Sequence, residues 1–183
     1  VGLGLARAAR ERRVAIPFVV ASLGATDSNL SAILMRGRRA DFGDLLEYEG
    51  TFVFDVGAAI GSTSRLFAKK AEKVYSFEPN LENYKTIENL IHLEKIHNIE
   101  LHNVAVSNQN SDLKFYNRES HGIHSLGKHT KGKVINVSSI KTIKLDNFYK
   151  NNFKNNEPIG LLKIDTEGFE YEVLDGAKEL LKS

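Results

Sequence analysis

The spacing of hydrophobic and polar positions changes several times along the chain, and each change marks an element. Residues 51–57, TFVFDVG, are apolar on both faces apart from Asp55, the pattern of a strand buried in a parallel sheet. Gly61 then opens a helical pattern, with Ser62 or Thr63 as N-cap and Leu66, Phe67 and Ala71 facing inward. Residues 73–79, KVYSFEP, form a second strand that Pro79 stops. Asn80 is placed to cap a helix running through Ile96, with Tyr84, Ile87, Leu90 and Ile91 toward the core. IELHNVAVS, 99–107, is a third strand. This β-α-β-α-β order calls for parallel strands joined by right-handed crossovers.

The regularity then breaks. SDLKFYN (111–117) and SSIKTIKLDNF (138–148) read as further strands around a polar loop, 118–133. KNNFKNNEP, 150–158, has the composition of a loop. IGLLKIDTEG, 159–168, is another buried strand, ending in acids. Val173, Leu174, Ala177, Leu180 and Leu181 follow at helical spacing. The expected architecture is α/β: a mostly parallel sheet with helices on both faces.

Composition narrows the class without deciding it. At 183 residues, with 42% hydrophobic and 26% charged positions, the chain suits a globular domain with a real core. A net charge of +2 argues for neither nucleic acid nor a membrane surface, and no apolar run is long enough to span a bilayer. The absence of Cys excludes disulfides, zinc thiolates and a cysteine nucleophile, and agrees with a cytoplasmic location. Charge is unevenly spread. Residues 1–40 hold seven Arg, no Lys and two acids, a balance of +5, whereas 41–183 hold two Arg, 16 Lys and 21 acids, a balance of −3. Residues 1–40 are therefore set apart from a domain at 41–183, either as a basic N-terminal helix of that domain or as a segment of different coding origin. Residues 12–25 have the basic flank and apolar core of a signal peptide, but Pro17 interrupts the run. With no initiator Met, the chain is expected to be a fragment.

The chemistry concentrates where strands meet helices. In a parallel sheet, ligands bind at the carboxyl edge, and glycine there lets a ligand approach the backbone. The dinucleotide fingerprint is G-x-G-x-x-G with an acid some twenty residues later. Here the order is Asp55-Val56-Gly57-Ala58-Ala59-Ile60-Gly61, the acid in front, and a second acid, Glu78, closes the next strand. Asp55 would repel a pyrophosphate and suits a cation, such as the sulfonium and ammonium of S-adenosylmethionine. Glu78 can accept hydrogen bonds from ribose hydroxyls.

FDVGAAIGSTSRLFA, VYSFEPNLENY, NVAVSN, IKTIKLDNF and LLKIDTEGFEYEVLDGAKELL resemble, in order and spacing, the motifs of FkbM-type SAM-dependent methyltransferases. The resemblance runs from about Phe52 to Leu181. It implies a Rossmann-like class I methyltransferase fold, here truncated before the last strands, and methyl transfer to a hydroxyl of a sugar, glycan or natural product. By that resemblance Asp55, Gly57, Ala59 and Gly61 form the SAM loop, Glu78 holds the ribose, and Asn103 and Ala105 lie near the adenine. Members commonly carry Asn where Ala59 stands, so one polar contact is missing from the loop.

A hydroxyl acceptor must lose its proton to a positioned base or with help from a metal. Asp165 is the first candidate for base or substrate orienter and Glu167 the second; the alternative role for both is capping the next helix. Lys163, two residues before Asp165, shares its strand face. His121, His124 and His129 lie in the 118–133 loop, and the resemblance extends to 124–127, keeping His124 and Ser125 as acceptor-side candidates. No metal site is expected. Two other readings stay open: a truncated, non-catalytic SAM-binding domain whose Asp165 strand has a bare edge, and a nicotinamide oxidoreductase fragment. A nucleic-acid methyltransferase is disfavoured by the acidic balance after residue 40.

Overall fold

The structure, a computed structural model, describes residues 18–22, 31–35, 38–39, 51–118, 134–154, 157, 159–166 and 168–182. In chain order its strands and helices are β1 (Phe18–Ser22), β2 (Ser31–Met35), β3 (Arg38–Arg39), β4 (Phe52–Val56), α1 (Ser62–Phe67), β5 (Lys73–Phe77), α2 (Leu81–Leu93), β6 (Ile99–His102), β7 (Ala105–Val106), β8 (Ser111–Arg118), β9 (Val134–Ile143), α3 (Leu145–Asn152), β10 (Ile159–Ile164) and α4 (Glu170–Asp175). A seven-stranded sheet has the order β3-β2-β1-β10-β4-β5-β6, and a smaller one the order β7-β9-β8. Strands β1, β10, β4, β5 and β6 are mutually parallel, and β2 and β3 are antiparallel additions at one edge. The Rossmann-like reading holds for this sheet. Strand order reverses between β4 and β10, so the carboxyl ends of those strands form the switch point where such folds bind ligands.

Strand phase explains the core. Leu161, Val53 and Val74 sit opposite one another in β10, β4 and β5 and bury one face against Phe67 and Ala71. On the other face, Phe54, Tyr75, Phe77, Leu162 and Ile164 pack with Leu145 and Tyr149 of α3 and Val173 of α4. Phe54 lies edge-to-face with Tyr75, Phe77 and Phe148, at ring-centroid distances of 5.6, 6.0 and 5.7 Å.

Several local expectations need correction. The N-cap of α1 is Gly61 at φ 82°, with no side-chain cap bond; the hydroxyls of Thr63 and Ser64 bond Asp55 instead. Phe67 and Ala71 are buried, but Leu66 is 48% exposed. Asn80 does cap α2, accepting from the amides of Glu82 and Asn83. That helix stops at Leu93 rather than Ile96, because Lys95 turns left-handed (φ 52°) and the amides of Lys95 and Ile96 close back on the carbonyls of His92 and Ile91. The third strand divides at Asn103-Val104: Ile99–His102 stays with β5, while Ala105–Val106 pairs with β9. Residues 145–148 are the first turns of α3, not strand, and the helical pattern after Glu170 breaks at Gly176 before resuming as a 3₁₀ turn at Leu180–Lys182. A Cβ on Gly176 would lie 2.1 Å from the Ser107 carbonyl oxygen.

The expected bare edge of the Asp165 strand is also corrected, since β1 pairs with β10 in parallel, Phe18 opposite Leu161 through Ala21 opposite Ile164. The described part of the arginine-rich segment is thus strand rather than helix, and 18–22 of the signal-like stretch lies in the sheet. Among the described residues no helix is long and apolar enough to cross a membrane.

Loss of the α2 cap has a defined cost. Asn80→Ala is expected to lower stability by about 1 kcal/mol, read as a drop in the urea midpoint at unchanged m-value.

Candidate functional site

The turn after β4 is built by two constraints. Gly57 stands at φ 78°, and a Cβ there would lie 1.9 Å from the carbonyl oxygen of Asp165, so only glycine lets the ends of β4 and β10 meet. Its amide and that of Ala58 both donate to the Phe77 carbonyl, at 3.0 and 3.2 Å. Ala59 follows at φ 51°, a conformation that strains a side chain other than glycine, asparagine or aspartate. An asparagine would suit that backbone better than alanine does.

Beneath the turn lies a polar row. Lys163, Asp55 and Ser76 are register partners across β10, β4 and β5, one step along the same face from Leu161, Val53 and Val74. Asp55 is fully buried. Its Oδ1 lies 2.9 Å from the Lys163 ammonium, an ion pair without a directed hydrogen bond. Its Oδ2 accepts from Thr63 at 2.7 Å and Ser64 at 2.6 Å. The carboxylate thus faces α1 and is neutralised within the fold, which corrects the expectation that it meets a cationic ligand directly. Gly61 and Asn103 also work from behind. Gly61 packs on Ile87, and Asn103 donates its amide to the carbonyls of Glu78 and Pro79 at 2.9 and 3.1 Å, a turn bond.

What faces outward is a cleft of about 640 Å³, open to solvent, at the carboxyl ends of β4, β5 and β10. Of the expected residues it brings together Gly57, Ala59, Glu78, Ala105 and Asp165. Glu78 is only 4% exposed. Its Oε2 accepts from the Ala59 amide at 2.8 Å and its Oε1 from the Asn80 amide at 2.9 Å, with Asn83 Nδ2 at 3.5 Å. Burial pushes its carboxyl up to about 7, against the opposing pull of those amides and of Lys163. Asp165 is exposed at the opposite wall, and among the described residues no hydrogen-bond or ionic partner holds its carboxylate.

Val104, Thr166 and Phe169 also line the cleft and were not anticipated. Nor was Glu170, which is buried and holds the turn after Asp165: its Oε1 accepts from the Thr166 amide, the Thr166 hydroxyl and the Gly168 amide, at 3.0, 3.1 and 3.0 Å. The T-x-x-x-E spacing in DTEGFE carried that signal. Residue 169 is the N-cap of α4 and makes no side-chain cap bond, so Asp165 does not cap that helix. Glu167, His121, His124, Ser125 and His129 lie outside the described residues. Among the described residues no group of three or more His, Asp or Glu could hold a metal ion.

The sequence profile of the Methyltransferase FkbM domain matches residues 55–183, well over half of the chain. The chain belongs to the FkbM methyltransferase family. Among solved structures it is similar to Methyltransferase FkbM from Methylobacillus flagellatus KT, at 19% identity and a TM-score of 0.50, over 72% of this chain and 30% of that one. At that identity the likeness shows the fold, and the matched part is less than a third of that protein's length. A weaker likeness, at a TM-score of 0.32 and 18% identity, is to SMU.1697c from Streptococcus mutans in complex with SAH, over 34% of this chain and 37% of that one. Another, to an rRNA methylase from Streptococcus thermophilus, has a TM-score of 0.32 and 22% identity over 33% and 35% of the two chains. No curated protein sequence matches significantly.

Two outcomes follow from the site's geometry. Gly57→Ala should cost at least about 3 kcal/mol in urea unfolding, because the strands cannot part without losing their register. Glu78 gives a pH signature. Its carboxyl is raised in the fold from 4.5 to about 7, so the folded state binds the proton more tightly. Its contribution is therefore fully present below pH 4.5 and lost as pH rises through about 7. At about 1.4 kcal/mol per pH unit that amounts to about 3 kcal/mol. Glu78→Gln should remove this slope from the stability–pH curve.

Proposed function

We propose that this FkbM domain binds S-adenosylmethionine in the cleft and methylates a hydroxyl of a small molecule or glycan. The observation that carries the reading is Glu78: a buried carboxylate at the end of the second strand of the β-α-β unit, held at the cleft wall by the amides of Ala59 and Asn80. Three donors reach a carboxylate that has about four lone-pair sites, and the longest, from Asn83 at 3.5 Å, is easily displaced. A vicinal diol fits there, with Glu78 accepting from both ribose hydroxyls. Val104, Ala105 and Val106 offer an apolar wall for the adenine. Gly57 keeps the backbone low enough for close approach of the ligand's chain.

When bound, the sulfonium supplies a methyl group activated for in-line displacement. Orientation is then the protein's main task. Asp165, exposed on the opposite wall and unpartnered among the described residues, takes the acceptor hydroxyl proton as that oxygen attacks. Its charge, rather than that of Asp55, also favours a cation in the cleft. Glu167 and His124 remain proposals for the acceptor side. A cytoplasmic location accords with a chain that has no cysteine.

Calorimetric titration with S-adenosylhomocysteine tests the cofactor. Ribose hydroxyls favour ionised Glu78, so affinity should fall as pH drops below about 7, by up to about tenfold per unit. Glu78→Gln should bind weakly and without that dependence. Binding of NAD in place of S-adenosylhomocysteine would overturn the reading. Transfer of labelled methyl from S-adenosylmethionine to hydroxylated acceptors, lost in Asp165→Asn, tests the reaction; transfer to RNA alone would contradict the acceptor class.

A further inference from the structure

Lys163 does more than its charge requires. It is buried, 7% exposed, at the cleft end of β10. A buried ammonium needs a counter-charge, and Asp55 Oδ1 at 2.9 Å provides one. The same ammonium also donates to the carbonyl oxygen of Gly57 at 2.5 Å. That second bond falls on the first residue of the turn, whose left-handed backbone takes it out of the regular sheet ladder. Gly57 is thus held by its amide to β5, through Phe77, and by its carbonyl to β10, through Lys163. Two residues on, the Ala59 amide is held by Glu78. The turn hangs between these fixed points, and Asp55 keeps the middle one in place.

We infer that Lys163 is a positioning residue: by bonding the Gly57 carbonyl it sets the 57–61 turn against Glu78 and against the Asp165 end of β10, with Asp55 as its buried counter-charge. The effect on ligand affinity rests on the cofactor reading above; the effect on the turn does not. Asp55 needs the lysine only as a counter-charge at Oδ1, since its Oδ2 has two hydroxyl donors; charge balance alone does not require the ammonium to reach the turn. The reach to Gly57 is what connects the two halves of the cleft, cofactor loop and candidate base.

The test separates charge compensation from positioning. Lys163→Met alone strands a buried carboxylate and is expected to destabilise the fold severely. Asp55→Asn/Lys163→Met removes both charges together and is expected to fold. Asp55→Asn alone strands the buried ammonium in its turn, so the natural protein is the reference. Amide hydrogen exchange at Gly57, Ala58, Ala59 and Gly61, compared with Val53 and Val74, reads the turn. In the double variant the turn amides should exchange about tenfold faster or more while the strand amides match those of the natural protein, and S-adenosylhomocysteine affinity should fall about tenfold or more. Unchanged exchange and affinity in a folded double variant would make Lys163 a counter-ion only and overturn the inference. A double variant that does not fold would overturn it too, since the two charges would then do more than balance each other. If the natural sequence itself binds no S-adenosylhomocysteine, the cofactor reading falls, and exchange at the turn still decides the role of Lys163.

Discussion

The cross-strand row Lys163–Asp55–Ser76 is the interaction on which the rest of the site depends. Parallel strands force it into being: with Leu161, Val53 and Val74 packed under Phe67, the next residues on that face must also be buried. A buried carboxylate and a buried ammonium are tolerable only together, and the hydroxyls of Thr63 and Ser64 complete the set from α1. One consequence is that α1 docks with its first turn over the carboxyl end of β4. Another is that the glycine turn between them has little freedom. Its peptide groups are fixed by Phe77, Glu78 and Lys163 before any ligand arrives.

The same phase decides what the cleft can use. Asp55 and Lys163 point toward α1, so neither charge is presented to a ligand. Among the described residues, the acids left at the surface of the cleft are Glu78, whose burial raises its carboxyl to about 7, and the exposed Asp165. They differ in environment as their proposed tasks differ. A carboxylate held by two backbone amides is suited to fixed recognition, and a solvent-facing one to meeting an acceptor that comes and goes.

Much of this was legible in the sequence. The apolar runs of β4, β5 and β10 and the cap at Asn80 follow from pattern alone, and Gly57, Ala59, Glu78, Ala105 and Asp165 do converge on one cleft. An acid just before a glycine turn has the pattern of a ligand group, yet Asp55 is fully buried and does not line the cleft. Strand alternation puts it in phase with Val53, and the lysine in LLKID was the partner to look for. The division of the third strand at Asn103-Val104 was hidden, because both halves are apolar enough for one strand and their separation depends on β9, distant in sequence. The pairing of β1 with β10 was hidden for a related reason: composition set residues 1–40 apart, and strand pairing is blind to composition. Glu170 was missed because its role lies in three bonds from a turn, not in any periodicity.

The central claim is that the cleft receives an adenosyl ligand at Glu78 while Asp55 stays paired beneath the turn. A crystal structure of the protein grown with S-adenosylhomocysteine tests it most directly. The account predicts both ribose hydroxyls within hydrogen-bond distance of the Glu78 carboxylate, the adenine against Val104–Val106, and Lys163 still bonded to Asp55 and the Gly57 carbonyl. A ligand seated away from Glu78, or Asp55 turned out of its pair to meet the ligand, would contradict it.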